Sequence, residues 1–341
     1  MPAGPAVTPV LRVGLLGCSS IARRRTLPAL RATPAAAVTA VAARDPRRAE
    51  AFAAESGTGA AALTYEQLLA ADDVDAVYVS LPNSEHHRWA EAALLAGKHV
   101  LCEKPMTTTA AATTALTRLA AERGLVLREN FTFLHHPQHA RVQRLLADGR
   151  IGAPRTLTAE FCIPPLPGTD IRYRADLGGG ALLDAGVYPL RLARLLLGPG
   201  LAVAGATLRV DKARDVDVAG LVLLVSPDGV FASLGFGFQH GYRSRYAVHG
   251  ATGTLTADKA FTPPATWQPV LRVEEQDHTE EHTLPAADQF ALAVAAFTTA
   301  ALAGPDPTGA ATAAPCTDTA RLVDEVLATA VRVPDHEELR R

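Results

Sequence analysis

The sequence predicts an α/β protein with two domains. Apolar strand patterns alternate with helix patterns from about residue 9 to residue 130, and the first strand runs into a glycine turn. After residue 130 several strand patterns follow one another, separated by short turns. Alternation is typical of a parallel sheet covered by helices, whereas strands joined by tight turns indicate antiparallel pairing. We predict a parallel-sheet domain over 9–130 and, over 131–335, an α+β domain with a large, mostly antiparallel open sheet.

The first predicted strand, residues 10–16, ends at a turn that precedes a helix. Gly17, Ser19 and Ala22 occupy three small-residue positions in this turn, with serine where a dinucleotide-binding motif has its middle glycine. Such a turn lets the backbone approach a pyrophosphate, whose charge is met by the helix amino terminus. We predict a Rossmann-type dinucleotide-binding domain. An ordinary strand-to-helix turn is the alternative, because one degenerate motif is weak evidence.

The second strand indicates which cofactor the domain binds. Residues 38–43 are followed by Arg44 rather than by an acidic residue. A carboxylate there would hold the ribose diol of NAD, whereas a guanidinium suits a 2′-phosphate. We therefore predict NADP(H). Arg47 and Arg48 have an alternative interpretation, as the solvated face of a helix that begins at Pro46.

Two further apolar strands place residues with reactive or polar side chains at the same edge of the sheet. Residues 74–81 stop at Pro82, with His86 shortly after, and residues 100–102 lead into Glu103 and Lys104. Ligands of open α/β sheets bind at the carboxyl ends of the strands. A proline after Lys104 restricts the lysine backbone to extended conformations. The alternative for His86 is a solvent-exposed residue at the start of a surface helix, without a role in binding.

The remaining elements complete the two domains. The predicted helices cover 107–123, 137–148 and a segment ending at Arg194, and the predicted strands cover 125–127, 155–163, 220–225, 230–238, 245–249 and 270–274. A long loop runs from 163 to 178. If helices cover one face of the antiparallel sheet, the other face needs a partner, and packing two such sheets together supplies one. We predict a homodimer or homotetramer.

Composition narrows the setting in which the protein works. The 341 residues are 48% hydrophobic with net charge −2, which gives no reason to expect nucleic acid or membrane as a partner. The four dispersed cysteines form no CxxC motif and no disulfide framework, which favours a reducing cytoplasm. Residues 1–8 lack the layout of a signal peptide and are expected to form a loose tail.

Taken in order, these motifs make the chain resemble the Gfo/Idh/MocA oxidoreductase family. The matching segments are 17–22, the Pro82-Asn83-x-x-His86 stretch, the Glu103-Lys104-Pro105 tripeptide and residues 177–188. Within the family, segments 18–28, 133–139, 163–173 and 261–266 resemble the NDP-hexose 3-ketoreductases of deoxysugar biosynthesis. The resemblance implies NADPH-dependent reduction of the C3 keto group of a nucleotide-linked 3,4-diketo sugar, typically a dTDP-2,6-dideoxyhexose. It also favours dimers or tetramers.

The resemblance implies a set of site residues. Its cofactor contacts are Gly17, Cys18, Ser19, Ser20, Ile21, Ala22, Arg23, Ala43, Arg44, Leu81, Pro82, His86, Glu103, Lys104, Arg172 and Asp184. Its substrate contacts are Arg24, Lys104, Tyr188, Tyr242 and Thr262. Ala43 departs from the serine that relatives often carry there, so we expect one hydrogen bond to the 2′-phosphate to be absent and the preference for NADPH to be weakened.

Lys104 and Tyr188 are the two candidates for protonating the ketone oxygen. The resemblance makes Lys104 the usual proton donor, with Tyr188 as its partner, and Asp184 lies one helical turn before Tyr188. Glu103 is expected to be structural, because adjacent strand residues point to opposite faces, with its backbone lining the cofactor site. No metal is expected, since the histidines at 135, 136 and 139 lack a carboxylate or cysteine at ligand spacing and hydride transfer needs none.

Two other functions stay open from the sequence alone. One is an NAD(P)-dependent dehydrogenase of a free polyol, sugar or dihydrodiol, and the other is a non-catalytic NADP-binding regulator. The presence of both Lys104 and Tyr188 disfavours the regulator. Arg24 and the loop 163–174 distinguish the nucleotide-sugar ketoreductase from the polyol dehydrogenase, because a substrate bearing a nucleotide diphosphate would use them and a free polyol would not.

Overall fold

The computed structural model describes residues 9–304 and 309–335. The chain divides into two compact units. The first contains residues up to 106, residues 114–132 and the segment that begins at Phe290, and the second contains 107–113, 133–289 and the segment from Ala314 onward. The proposed domain boundary at residue 130 is close to one of these divisions. The tail expected over 1–8 lies outside the described residues.

Strands and helices alternate in the first part of the chain, as predicted. The elements are β1 Leu11–Leu16, α1 Leu27–Arg31, β2 Ala36–Ala42, α2 Pro46–Ser56, β3 Ala61–Leu63, α3 Tyr65–Ala70, β4 Ala76–Val79, α4 Asn83–Leu95, β5 His99–Cys102, α5 Ala110–Glu122 and β6 Leu127–Glu129. A π-helical turn, Ala22–Thr26, precedes α1. Local signals fix the helix starts: Asp45 caps α2 by accepting from the Arg47 N–H, and Thr64 and Gln67 form a capping box on α3.

The six strands of the first unit form one parallel sheet in the order β3-β2-β1-β4-β5-β6. The direction of winding reverses between β1 and β4, which is the place where open α/β sheets bind ligands. All four residues of β4 are buried, as the apolar sequence predicts for a central strand. The Rossmann-like part of the predicted fold class is therefore confirmed.

The second part of the chain is dominated by strands. Its elements are α6 Pro137–Ala147, β7 Pro154–Cys162, α7 Val187–Leu197, β8 Ala202–Asp211, β9 Val216–Val225, β10 Phe231–Gly237, β11 Arg243–Gly250, β12 Thr254–Asp258, β13 Val270–Glu274, β14 Thr279–Thr283, α8 Gln289–Leu302, α9 Gly309–Thr329 and β15 Val331–Pro334. Short 3₁₀ turns span Thr132–His135, Ile171–Tyr173 and Ala175–Leu177, and a π-helical turn, Leu182–Gly186, precedes α7.

The second sheet has nine strands in the order β14-β13-β12-β11-β7-β10-β9-β8-β15. All neighbours pair antiparallel except β7 with β10 and β8 with β15. Helix α7 packs on β7 and β10, and the side chains beneath it, such as Leu234 and Phe236, are buried. The predicted mostly antiparallel sheet is thus confirmed, and β8, β12, β14 and β15 are strands that the sequence patterns did not reveal.

Helix α8 belongs to the first unit, although it lies far along the chain. Val294, Phe297 and Ala301 join a core cluster with Leu15 of β1 and Leu30 of α1. The sequence gives no local sign of this, because an apolar helix can cover either sheet.

Candidate functional site

Gly17 lies where β1 and β4 end, at the switch point of the parallel sheet. Its φ is +109°, and a Cβ on it would lie 2.7 Å from the carbonyl oxygen of Ser80. The hydroxyl of Ser80 donates to the Gly17 carbonyl at 3.1 Å, which ties the two strand ends together. Only glycine fits this backbone conformation at this close approach.

The turn after Gly17 has the features of an anion-binding helix start. The Ser19 hydroxyl accepts from the Ala22 N–H at 3.1 Å, and Ala22 is buried. In the part of the chain that the structure describes, no acceptor is found for the backbone N–H groups of Ser20 and Ile21. Such unpaired N–H groups suit a phosphate.

The polar side chains around this turn bind neighbouring groups. Cys18 Sγ is 3.6 Å from the carbonyl oxygen of Arg48. Arg23 forms an ion pair with Glu55 at 2.7 Å and stacks over Phe52, and Arg24 folds back so that its Nε donates to the Ser20 carbonyl at 3.4 Å. The guanidinium of Arg24 is exposed.

The residues predicted to select the cofactor follow β2. Ala43 is buried, and Arg44, which comes next, is exposed. Because β2 and β1 are neighbours in register, Arg44 follows the strand end beside the Gly17 turn. A cationic side chain at that edge suits a phosphate on the adenosine ribose.

His86 lies inside the protein, where it joins two loops. The residue is 1% exposed, with Nδ1 2.7 Å from the Pro105 carbonyl oxygen and Nε2 2.8 Å from the Leu81 carbonyl oxygen. Burial lowers the pKa of His86 below its usual value, and the two carbonyl contacts offset this only in part. The imidazole thus holds the backbone after β4 against the backbone after β5. Pro82, between Leu81 and His86, is the N-cap residue of α4.

Glu103 is the centre of a hydrogen-bond network at the end of β5. Its Oε1 accepts from the Tyr78 hydroxyl and from Asn130 Nδ2, both at 2.7 Å, and Tyr78 in turn accepts from Thr26 Oγ1 at 3.0 Å. Burial raises the pKa of Tyr78 well above its usual value, so the phenol stays protonated and donates. The network fixes the backbone that presents Lys104.

Lys104 follows this anchored residue and is half-buried. Its backbone N–H lies 3.4 Å from Glu103 Oε2, and the peptide bond from Lys104 to Pro105 is cis. Tyr78 and Asn130 were not among the predicted site residues. A tyrosine in an otherwise aliphatic central strand is the signal that could have indicated them, because a buried phenol needs a partner.

In the second unit, a glycine triplet precedes the helix that carries Tyr188. A Cβ on Gly179 would lie 2.5 Å from the Arg172 carbonyl oxygen, and one on Gly180, whose φ is +113°, would lie 2.3 Å from Asp217 Oδ1. Asp217 Oδ2 accepts from the Leu182 N–H at 2.6 Å. The triplet therefore lets a carboxylate on β9 reach the start of this helix, a role for Asp217 that local sequence did not suggest.

Arg172 and Asp184, two predicted cofactor contacts, bind each other. Arg172 Nε donates to Asp184 Oδ2 at 2.7 Å, and its Nη1 donates to Asp170 Oδ1 at 3.1 Å. The charge of Asp184, followed by that of Asp170, raises the pKa of Arg172. Asp170 also caps the Ile171–Tyr173 turn. Asp184 lies in the wider π-helical turn, so its spacing to Tyr188 is not that of a regular α-helix.

Aromatic rings hold the ring of Tyr188 at the start of α7. Its centroid lies 4.8 Å from that of Phe161, 5.7 Å from Phe261 and 5.8 Å from Phe133. These contacts fix the direction of the phenol. Tyr242 and Thr262, two predicted substrate contacts, are hydrogen-bonded to each other at 2.9 Å and are both exposed.

The histidine cluster has a packing role at His139. Its Nε2 donates to the Ala260 carbonyl at 3.0 Å, and its Nδ1 accepts from the Tyr246 hydroxyl at 3.1 Å. Over residues 9–304 and 309–335, no group of three metal-ligating side chains is found. Within the same residues, no helix has the length and apolarity to span a membrane.

Two family models match the chain. Residues 11–131 match an oxidoreductase family with an NAD-binding Rossmann fold, and residues 139–256 match the carboxy-terminal domain of the same family. The chain belongs to the Gfo/Idh/MocA oxidoreductase family. Its predicted membership is confirmed, and the glycine turn at Gly17 and the Glu103-Lys104-Pro105 segment both lie in the first matched region.

Relatives within the Gfo/Idh/MocA family include sugar reductases. The chain is 52% identical to a dTDP-3,4-didehydro-2,6-dideoxy-alpha-D-glucose 3-reductase of Actinomadura kijaniata, over 89% of this chain and 91% of that protein. It is 52% identical to the reductase of the same name from Streptomyces antibioticus, over 87% and 90%. A crystal structure of a 3-ketoreductase from A. kijaniata with NADP and TDP-benzene matches with a TM-score of 0.92, 49% identity, and coverage of 96% and 99%.

Proposed function

We propose that this protein reduces the C3 keto group of a dTDP-3,4-diketo-2,6-dideoxyhexose to give the dTDP-4-keto-2,6-dideoxyhexose. The observation that carries the proposal is the 52% identity to 3-reductases of that substrate class along nearly the whole chain. The place of the reaction is the biosynthesis of unusual sugars, as in antibiotics.

The proposed cofactor is NADP(H), and the first unit suits it. The close approach at Gly17 and the unpaired N–H groups of Ser20 and Ile21 suit a pyrophosphate, and exposed Arg44 suits a 2′-phosphate. When bound, NADPH supplies the hydride that attacks the C3 carbon. Buried Ala43 offers no hydroxyl to the 2′-phosphate, so Arg44 carries most of the preference.

Lys104 is the proposed proton donor to the ketone oxygen, with Tyr188 as its partner. Reduction moves a hydride to carbon and a proton to oxygen, so the product is a secondary alcohol. The hydrogen bonds of Glu103 and the contact of His86 with the Pro105 carbonyl fix the Lys104 backbone. Three aromatic rings fix Tyr188. Arg24, Tyr242 and Thr262 are the other proposed substrate contacts, since all three expose polar groups.

We also propose a homodimer or homotetramer in a reducing cytoplasm. On the outer face of the second sheet, Leu221, Leu223 and Phe231 are 56%, 42% and 52% exposed, which supports packing of one sheet against another. Cys18, Cys102, Cys162 and Cys316 are free thiols, which supports a reducing compartment.

The test is NADPH oxidation by the purified protein, with the dTDP-3,4-diketo-2,6-dideoxyhexose generated in the same vessel because such diketo sugars are expected to be unstable. Protein-dependent oxidation with a 3-hydroxy-4-keto product supports the proposal. If NADP(H) binds but this substrate is not reduced, while a free polyol or sugar is turned over, the protein is instead a polyol or sugar dehydrogenase. No turnover of either class would favour a regulator.

A further inference from the structure

Lys259, directly after β12, has a backbone conformation that lysine rarely adopts. Its φ is +47°, and in the described part of the chain Asp215 is the only other non-glycine residue with positive φ. Asp215 lies in the turn between β8 and β9, where such a conformation is common. A strained residue outside a tight hairpin is a reason to look for a function.

The backbone next to Lys259 is held firmly, so the strain is imposed by the fold. Ala260 donates its N–H to the Ser244 carbonyl at 2.9 Å, and Phe261 donates to Ser244 Oγ at 3.0 Å. The carbonyl of Ala260 accepts from His139, and that of Phe261 accepts from Gln289, both at 3.0 Å. Lys259 therefore extends from a fixed base.

The ammonium of Lys259 makes cation–π contacts with two aromatic rings. Nζ is 5.7 Å from the ring centroid of Tyr242 and 5.0 Å from that of Trp267. Among residues 9–304 and 309–335, no ion pair between Lys259 and a carboxylate is found. Two cation–π contacts hold the half-buried charge in position without neutralising it, which leaves it able to attract an anion.

The Tyr242 hydroxyl, on one of these two rings, provides a second hydrogen-bond donor together with Thr262. The hydroxyls of Tyr242 and Thr262 are 2.9 Å apart, so one O–H bonds to the other oxygen and the second O–H can donate outward. An ammonium with three N–H donors beside a hydroxyl donor is a suitable site for phosphate oxygens.

The same short segment reaches the aromatic group around Tyr188. Phe261, between Lys259 and Thr262 in sequence, has its ring centroid 5.7 Å from that of Tyr188. A nucleotide sugar carries its diphosphate on C1, two ring positions from the C3 ketone. The diphosphate must therefore bind close to Tyr188, the proposed partner of the proton donor, but not in contact with it, and the position of Lys259 is consistent with this.

We infer that Lys259 binds the diphosphate of the nucleotide-sugar substrate, with the Tyr242–Thr262 hydroxyl pair as second donor and Trp267 as the wall that positions the ammonium. The inference rests on the proposed function. It adds to the proposed substrate contacts a lysine that no local motif in the sequence marks.

The experiment measures binding of dTDP to the NADP⁺-loaded protein by calorimetry. Lys259→Met should raise the Kd for dTDP at least about tenfold, because a charge-assisted contact is lost. Lys259→Arg should recover part of that loss, and the Kd for NADP⁺ should stay unchanged in both variants. The matched control is Lys212→Met, which removes an exposed lysine from the turn between β8 and β9 and should leave dTDP binding unchanged.

Tryptophan fluorescence locates the site independently. The chain has two tryptophans, so in a Trp89→Phe background Trp267 is the single emitter. Both dTDP and inorganic pyrophosphate should change its emission, and Lys259→Met should shift both titrations to higher concentration. A change with dTDP alone would place the base, rather than the diphosphate, at this site and overturn the inference.

The inference and the proposed function can fail separately. Equal dTDP affinity in wild type and Lys259→Met, together with turnover of the diketo sugar by wild type, would overturn the role of Lys259 and leave the function intact. A wild-type protein that neither binds dTDP nor reduces the diketo sugar would overturn both.

Discussion

At the scale of single residues, the candidate site is built from side chains that fix other groups. The Glu103 carboxylate accepts from Tyr78 and Asn130 while its neighbour Lys104 is proposed to do the chemistry. His86 lies between two carbonyl oxygens; burial lowers its pKa, and because a neutral imidazole has a single N–H, the ring donates to one of the two at a time. Positions that look catalytic in the sequence thus divide into reacting and positioning residues.

Lys104→Ala should lower kcat for the diketo sugar by about 10²-fold or more, because a positioned general acid contributes that much. The Kd for NADPH should change far less. The measurement is steady-state NADPH oxidation with the sugar generated in place, and Lys212→Ala is the control for loss of a lysine elsewhere. An unchanged kcat would move the proton donor to Tyr188 or to water.

Arg44→Ala should weaken NADPH binding by about tenfold or more and leave NADH binding nearly unchanged, because the 2′-phosphate loses a charge-assisted partner. Fluorescence titration with both cofactors measures the ratio. Arg47→Ala, in the first turn of α2, tests whether Arg47 also binds the 2′-phosphate or only lies on a solvated helix face. A larger effect from Arg47 than from Arg44 would show that the specificity residue was misassigned.

At the scale of elements, the helix that carries Tyr188 depends on a carboxylate from a strand. Asp217 on β9 accepts from the Leu182 N–H at 2.6 Å, and Gly180 leaves the space that the carboxylate needs. Burial raises the pKa of Asp217 to about 6. The helix start is therefore held by a group that titrates in the weakly acidic range.

The raised pKa of Asp217 predicts that its contribution to the free energy of unfolding falls as pH rises through the weakly acidic range. The unfolded carboxyl has a pKa of about 3.9, so between that value and about 6 the folded protein keeps a proton that the unfolded chain releases. The stability that this proton confers is fully present below about pH 4 and is lost as pH rises through about 6.

The wild-type free energy of unfolding minus that of Asp217→Asn should therefore fall as pH rises across this window, by at most about 1.4 kcal/mol per pH unit. Denaturant unfolding at several pH values measures it, with Asp228→Asn, in the turn between β9 and β10, as control. A difference that stays constant with pH would contradict the assignment.

At the scale of the whole molecule, the second sheet has one face covered by helices and one that exposes aliphatic and aromatic groups. Val222 and Leu224 are fully buried, whereas Leu221 and Leu223 on the same strand point the other way. The alternation follows from the pleat of a strand. The outer face supports the proposed assembly.

Leu221→Asp combined with Leu223→Asp should dissociate the oligomer, because two charges on each chain would be buried at the interface. Light scattering coupled to size exclusion measures the mass. The control is Leu292→Asp on α8, an exposed leucine on the other unit, which should leave the mass unchanged. A wild-type mass equal to one chain would refute the oligomer itself, and an unchanged oligomer in the double variant would place the interface elsewhere.

The sequence by itself determined the features that depend on local pattern. Strand periodicity and helix signals located the parallel sheet, the glycine turn located Gly17, and the order of motifs identified the family. Each of these is encoded within a few residues, because a turn that needs positive φ or a buried central strand restricts the amino acids that can occupy it.

Only the tertiary structure decided which side chains meet across long separations in the chain. The partners of Glu103 come from residues 78 and 130, Asp217 reaches the turn at residue 182, and α8 joins the core of the first unit. Tyr242, Lys259, Thr262 and Trp267 form one group for the same reason. Sheet register and packing bring such residues together, and neither is written in the spacing of any one motif.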